Sequence, residues 1–167
     1  MNYLFWILLI CIVDQGTKYA ALGAIASHAG LPHTAVSAGM SFPFLYGVLD
    51  LTYVQNAGMS FGLLRNNRWI FMTVSALALV FFFVCLVRQK DAPFLQKAGL
   101  TLIVGGGVGN MFDRVLLGYV VDFVDVRCIP LWHWVFNFAD ACVCIGAALL
   151  ALSILTAYRK ENKNRAE

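Results

Sequence analysis

Apolar residues dominate four stretches of the chain, and polar residues cluster between them. The apolar runs cover about 4–25, 69–87, 98–117 and 136–157. Each is close to the length an α-helix needs to cross bilayer hydrocarbon. The pattern predicts an all-α membrane protein with four transmembrane helices in a single embedded domain over 1–167. Its outer loops fall at 26–68 and 118–135, and its tail at 158–167. The first run has no basic leading region and is interrupted by Asp14 and Lys18, so it reads as a retained helix. Within the first outer loop, Leu49–Val54 leans towards β-structure, with a glycine-containing turn after Asn56. That predicts a small sheet on the outer membrane surface. Residues 27–43, with Gly, Pro and Ser, read as loop.

Composition agrees with this picture. The chain is 60% hydrophobic and 13% charged, whereas soluble domains average about 25% charged residues. Charge placement then sets orientation. Arg88, Lys90, Lys97, Arg159, Lys160, Lys163 and Arg165 fall on one side, against Arg65, Arg68 and Arg127 on the other. The positive-inside bias puts both termini in the cytoplasm. Trp69, Tyr119, Trp132 and Trp134 mark an outer interfacial belt, and Trp6 and Tyr158 an inner one. The basic tail suits anionic lipid; with no basic surface elsewhere, no nucleic-acid partner is expected. Cys11, Cys85, Cys128, Cys142 and Cys144 have no zinc-site spacing, and their odd number argues against a full disulfide framework. They read as small buried apolar residues.

Ionisable side chains in hydrocarbon cost several kcal/mol on insertion scales and normally face the bundle interior in pairs. Asp14 and Lys18 are four apart on helix 1 and share a face. They read as a structural ion pair, as supports for a site, or as catalytic groups. Helix 3 carries Gly105-Gly106-Gly107-Val108-Gly109-Asn110, then Asp113 and Arg114. Its glycines read as close-packing positions; a phosphate loop lacks its Lys-Ser/Thr and its βαβ setting. Arg114, one turn from Asn110, has Asp113, Asp14 or a lipid phosphate as possible partners. Asp122 and Asp140 fall near the same boundary because helix 3 runs outward and helix 4 returns from it; if the two helices pack together, these carboxylates can meet. Two close carboxylates share one proton and titrate as a unit. Such a pair can hydrolyse a peptide bond, one member as base and one as acid. Structural pairing and proton transport remain open for these residues. Asp125 has no arguable role.

Other chemistries fit less well. A transporter should show paired repeats or broken helices, and neither is visible. A Ser–Lys peptidase could use Lys18 and Ser60, but Asp14 already sits one turn from Lys18. No H-E-x-x-H exists, and His28, His33 and His133 are scattered and assigned no catalytic role.

The polar stretches resemble the lipoprotein signal peptidase (signal peptidase II) family in order along nearly the whole chain. The matching motifs are Asp14-Gln15-x-x-Lys18, Asn56-x-Gly58-x-x-Phe61, the glycine motif 105–114 with Gly107 where Ala is common, Val121-Asp122-Phe123, and Phe136-Asn137-x-Ala139-Asp140. The resemblance implies four membrane helices with an extracytoplasmic β-rich cradle in the bacterial inner membrane, and the active site near its outer face. It implies catalysis by Asp122 and Asp140, with Asp14, Lys18, Asn56, Asn110, Arg114 and Asn137 in support. It implies an aspartic endopeptidase without metal or other cofactor, cleaving diacylglyceryl prolipoproteins before the lipidated cysteine. Membrane lipid is a partner, globomycin an expected inhibitor, and the monomer the expected form.

Overall fold

The protein is described by a computed structural model covering residues 2–58, 68–89 and 91–166. Phe61, Ser60, Arg65 and Lys90 lie outside the described residues. Four helices dominate: α1 (Tyr3–Ala29), α2 (Arg68–Arg88), α3 (Phe94–Leu116) and α4 (Phe138–Ala166). Strands β1 (Ser41–Leu45), β2 (Leu49–Asn56), β3 (Val120–Val126) and β4 (Val135–Phe136) form one antiparallel sheet in that order.

Apolar and polar residues are distributed opposite to the pattern of a soluble domain. Asp14, Lys18, Asp113, Asp122 and Asn137 are buried, while Leu4, Leu8, Ile12, Val74, Leu77, Phe81, Ile154 and Leu155 are exposed. Such a surface fits lipid as the surrounding medium. Helices α1 and α4 are long and apolar enough to cross a membrane, and Met72–Arg88 forms a shorter apolar helix. Helix α3 is diluted by glycine and by Asn110, Asp113 and Arg114, yet its Phe112, Val115 and Leu116 are exposed.

Glycine lets α3 approach α4. A Cβ at Gly99 would lie 2.7 Å from the Gly146 carbonyl oxygen, and one at Gly146 would lie 2.6 Å from the Gly99 carbonyl oxygen. A Cβ at Gly106 would run into the carbonyl oxygen of Ala139. The glycine run is therefore a packing surface, as close helix approach between small residues requires.

The element boundaries depart from the sequence reading in five places, one being β1, whose first residues Ser41–Pro43 fall in the stretch read as loop. Helix α1 runs to Ala29 and ends on Gly30 at φ 66°, a left-handed cap that glycine adopts without strain. Helix α3 begins at Phe94, just after Pro93, which cannot continue a helix backwards. Helix α4 starts at Phe138 rather than 136 and continues through the stretch read as a tail, to Ala166. The second outer loop contains β3, whose alternating Val, Asp and Phe residues are buried on both faces. Cysteine burial also differs: Cys142 is buried, but Cys128 and Cys144 are exposed.

The sheet sits over the C-terminal end of α1. Leu51 and Tyr53 of β2 and Val121 and Phe123 of β3 pack on Ala21 and Ile25. Strand alternation then turns Asp122, between the last two, to the opposite face. At the far end, Asp50 and Asp125 face each other across β2 and β3. Arg127 bridges them, Nε to Asp50 at 2.8 Å and a terminal nitrogen to Asp125 at 2.9 Å. Thr52 also donates to Asp125, at 2.9 Å. Asp125 is thus a sheet clip. Because Arg127 is half exposed, Arg127→Ala is expected to lower stability by about 1 kcal/mol or less, read by thermal unfolding.

Candidate active site

Asp122 reaches the site on a strand and Asp140 on a helix. Helix α4 opens with a reciprocal cap. The Asn137 side-chain oxygen accepts from the Asp140 N–H at 2.9 Å, and Asp140 Oδ2 accepts from the Asn137 N–H at 3.2 Å. This is the capping-box logic, in which the cap residue and the third helical residue satisfy each other.

The same asparagine holds the other aspartate. Asn137 Nδ2 lies 2.7 Å from Asp122 Oδ1, 3.2 Å from the Val121 carbonyl oxygen and 3.0 Å from Asn110 Oδ1. Asn56, at the end of β2, donates to Asp122 Oδ2 at 2.9 Å. Its own side-chain oxygen accepts from the Gly58 N–H at 2.9 Å, a local turn with Gly58 at φ 83°. Asn110 on α3 donates to Asp140 Oδ1 at 2.7 Å. Each oxygen of both carboxylates therefore accepts one amide hydrogen, which fixes their rotamers. Burial pushes the Asp122 carboxyl up to about 6, and the Asp140 charge adds to that; the Asn56 and Asn137 donors partly oppose it.

A second polar layer lies behind this pair. Lys18 Nζ lies 2.7 Å from Asp14 Oδ2, 2.8 Å from Asp113 Oδ2 and 3.3 Å from Asn110 Oδ1. The Asp14–Lys18 pair expected from spacing is present, but Lys18 also takes Asp113, which the sequence reading left as a possible partner of Arg114. Arg114 donates to the Asn110 carbonyl at 3.3 Å and lies in electrostatic range of Asp140 and Asp122. A Cβ at Gly109 would sit 2.7 Å from Asp14 Oδ2, so this glycine admits the carboxylate to the face of α3.

Each aspartate borders its own opening. A cleft of about 290 Å³ beside Asp122 is lined by Gln55, Asn56, Ala57, His133 and Trp134. A groove of about 460 Å³ between α2, α3 and α4 is apolar along Leu79, Phe82, Ile103 and Val143 and carries Asn110, Arg114 and Asp140. Ile103, Gly107, Asn110 and Arg114 form one helical stripe of α3. The sequence reading named Gln15 only as part of a motif and gave it no role; it touches both Asp14 and Asp113. His133, assigned no catalytic role, lines the Asp122 cleft. Tyr119, read as a belt residue, exchanges a 3.1 Å hydroxyl contact with Tyr53. That bond, with burial, pushes its phenol up to about 12.

Residues 6–156 match the family described as signal peptidase (SPase) II. A lipoprotein signal peptidase of Clostridioides difficile (strain 630) is 40% identical over 93% of this chain and 95% of that protein. One from Fusobacterium nucleatum subsp. nucleatum is 35% identical over 96% and 90%. A solved structure described as a bacterial membrane enzyme, obtained by the in meso method, superposes with a TM-score of 0.71. It is 28% identical and covers 92% of each chain.

Proposed function

The chain belongs to the signal peptidase II family, and from that premise we propose that Asp122 and Asp140 are the catalytic pair of an intramembrane aspartic endopeptidase. The protein is an aspartic-type signal peptidase that removes signal peptides from prolipoproteins. The observation that carries the residue assignment is Asn137, whose side chain holds Asp122 and whose N–H holds Asp140. One residue thereby ties both carboxylates together, Asp122 bordering the cleft and Asp140 the apolar groove.

In our reading all four helices span the bacterial inner membrane as one domain, with both termini cytoplasmic and the site at the outer face. The signal helix enters sideways into the groove between α2, α3 and α4. Its scissile stretch extends beside Asn56 and exposes its carbonyl. The aspartates hold a water between them. The ionised member takes a proton from the water as it attacks the carbonyl carbon, and the protonated member donates to the carbonyl oxygen. As the tetrahedral species collapses, the carboxyl that took the water proton gives it to the leaving amine, and the other carboxylate recovers its proton from the hydroxyl. The cut falls before the diacylglyceryl cysteine, leaving a free signal peptide and a lipid-bearing amino terminus. Arg114 and Asn110 stabilise polar groups at the groove mouth. The enzyme acts as a monomer in contact with membrane lipid, and globomycin competes for the site.

The test is incubation of the purified protein with a diacylglyceryl prolipoprotein, measuring signal-peptide release with and without globomycin. Failure to release it in any bilayer or detergent would remove the assignment. The pH dependence carries a sign. The pair works with one proton, and Asp122 retains its proton below about 6. The value of kcat/KM is therefore expected to decline above about pH 6, approaching tenfold per pH unit. A profile flat from pH 5 to 8 would contradict proton sharing.

A further inference from the structure

We infer that Gln15, Lys18 and Asp113 act with Asp14 as a strut that sets the separation of the two catalytic carboxylates. This inference rests on the assignment of Asp122 and Asp140. Asp14 Oδ1 accepts from the Ala139 N–H at 3.0 Å. Asp113 Oδ2 accepts from the Val121 N–H at 3.0 Å. Ala139 directly precedes Asp140, and Val121 directly precedes Asp122. Two buried carboxylates on α1 and α3 thus grip the peptide just before each member of the pair.

Two donors from α1 then join the grips. Lys18 Nζ lies 2.7 Å from Asp14 and 2.8 Å from Asp113. Gln15 Nε2 lies 3.2 Å from Asp14 Oδ2 and 2.8 Å from Asp113 Oδ1. Gln15 and Lys18 are three apart on the helix and so share a face. The path Val121–Asp113–(Lys18, Gln15)–Asp14–Ala139 connects strand β3 to helix α4 through α1.

The side chains of Lys18, Asp14 and Asp113 are at most 4% exposed. Buried ion pairs of this kind are weak sources of stability, since desolvation cancels much of their attraction. They do resist displacement, because moving one partner strands a charge. A strut made of them therefore fixes a distance, and proton sharing between carboxylates depends steeply on distance.

The experiment uses the full-length protein and a diacylglyceryl prolipoprotein. Kinetic constants are normalised to monodisperse protein, with kcat and KM resolved separately from pH 4.5 to 8.5. Gln15→Leu removes both amide bonds and leaves the ion pairs. It is expected to lower kcat about tenfold or more, as sub-ångström misplacement does, with KM within about twofold. The interval between the acid and alkaline limbs should also narrow, because carboxylates that drift apart interact less. Lys18→Met combined with Asp113→Asn removes one cation and one anion together, and is expected to narrow the interval in the same way. It decides the matter if Gln15→Leu does not fold. Wild-type kcat and limb spacing in these variants would overturn the strut. So would loss of folded protein from both, with unchanged constants in the surviving fraction. Asp122→Asn and Asp140→Asn in the same assay keep the two ideas apart. If those variants stay active, the catalytic assignment itself fails, whatever Gln15 does.

Discussion

Asp122→Asn and Asp140→Asn are each expected to lower the rate of signal-peptide release by about 10³-fold or more, while the protein still inserts and accumulates. Loss of one general acid–base group typically costs 10²- to 10⁴-fold, and here each change removes the shared proton as well as one proton carrier. Asparagine has nearly the same shape as aspartate, so the packing around Asp122 changes little. One of the donors from Asn56 and Asn137 would meet an amide nitrogen, a loss of about 1 kcal/mol. Against this, burial pushes the Asp122 carboxyl up to about 6, above the ordinary carboxylate range. Its ionised form is therefore penalised at neutral pH, and removing that charge offsets the lost bond. Thermal unfolding at pH 7.5 should accordingly sit within a few degrees of the parent. Turnover equal to wild type in either purified variant would sink the pair.

Gly106→Val should remove both stability and activity. An added Cβ collides with the Ala139 carbonyl oxygen and lies 3.0 Å from Val143 Cγ2. The first obstacle is backbone and cannot rotate away. Helix α4 would have to shift, and overpacking of this kind costs about 1–3 kcal/mol or more. Ala139 also precedes Asp140, so the shift carries directly into the site. Gly107→Ala is the contrast. Its new methyl meets the Leu79 side chain first, whose flexible end can turn aside. Gly106→Val is expected to lower the melting temperature sharply and cut cleavage about a hundredfold, while Gly107→Ala keeps both near the parental values. Equal behaviour of the two would show that glycine at 106 does not govern the α3–α4 approach.

Much of this architecture was legible from residue order. Charges that lipid forbids drew attention to Asp14, Lys18, Asp113, Asp122 and Asp140, and the structure gathers all five into one buried network. Spacing identified the Asp14–Lys18 pair because a helix has one fixed repeat. It could not tell which acid would share Lys18, since that depends on the helix crossing and on Gly109 admitting Asp14. Strand β3 was hidden because a buried strand and a short apolar linker have the same composition. It is the partner strand β2, contributed by a distant loop, that makes it a strand. The helical extension of α4 past residue 157 was missed because lysine and arginine mark a membrane boundary equally well in helix or coil. The role of Gln15 is a long-range one, linking residues 98 positions apart, and no local pattern announces that.

The order in which the elements leave the ribosome has a consequence for activity. Asn56 precedes α2, Asp122 follows α3, and Asp140 sits on the final helix. A nascent chain with three helices inserted holds one carboxylate without its counterpart, and Asp14 without the Ala139 N–H it will grip. On the proposed assignment the pair is therefore incomplete until α4 has been made, and a chain stopped after β3 is expected to show no cleavage.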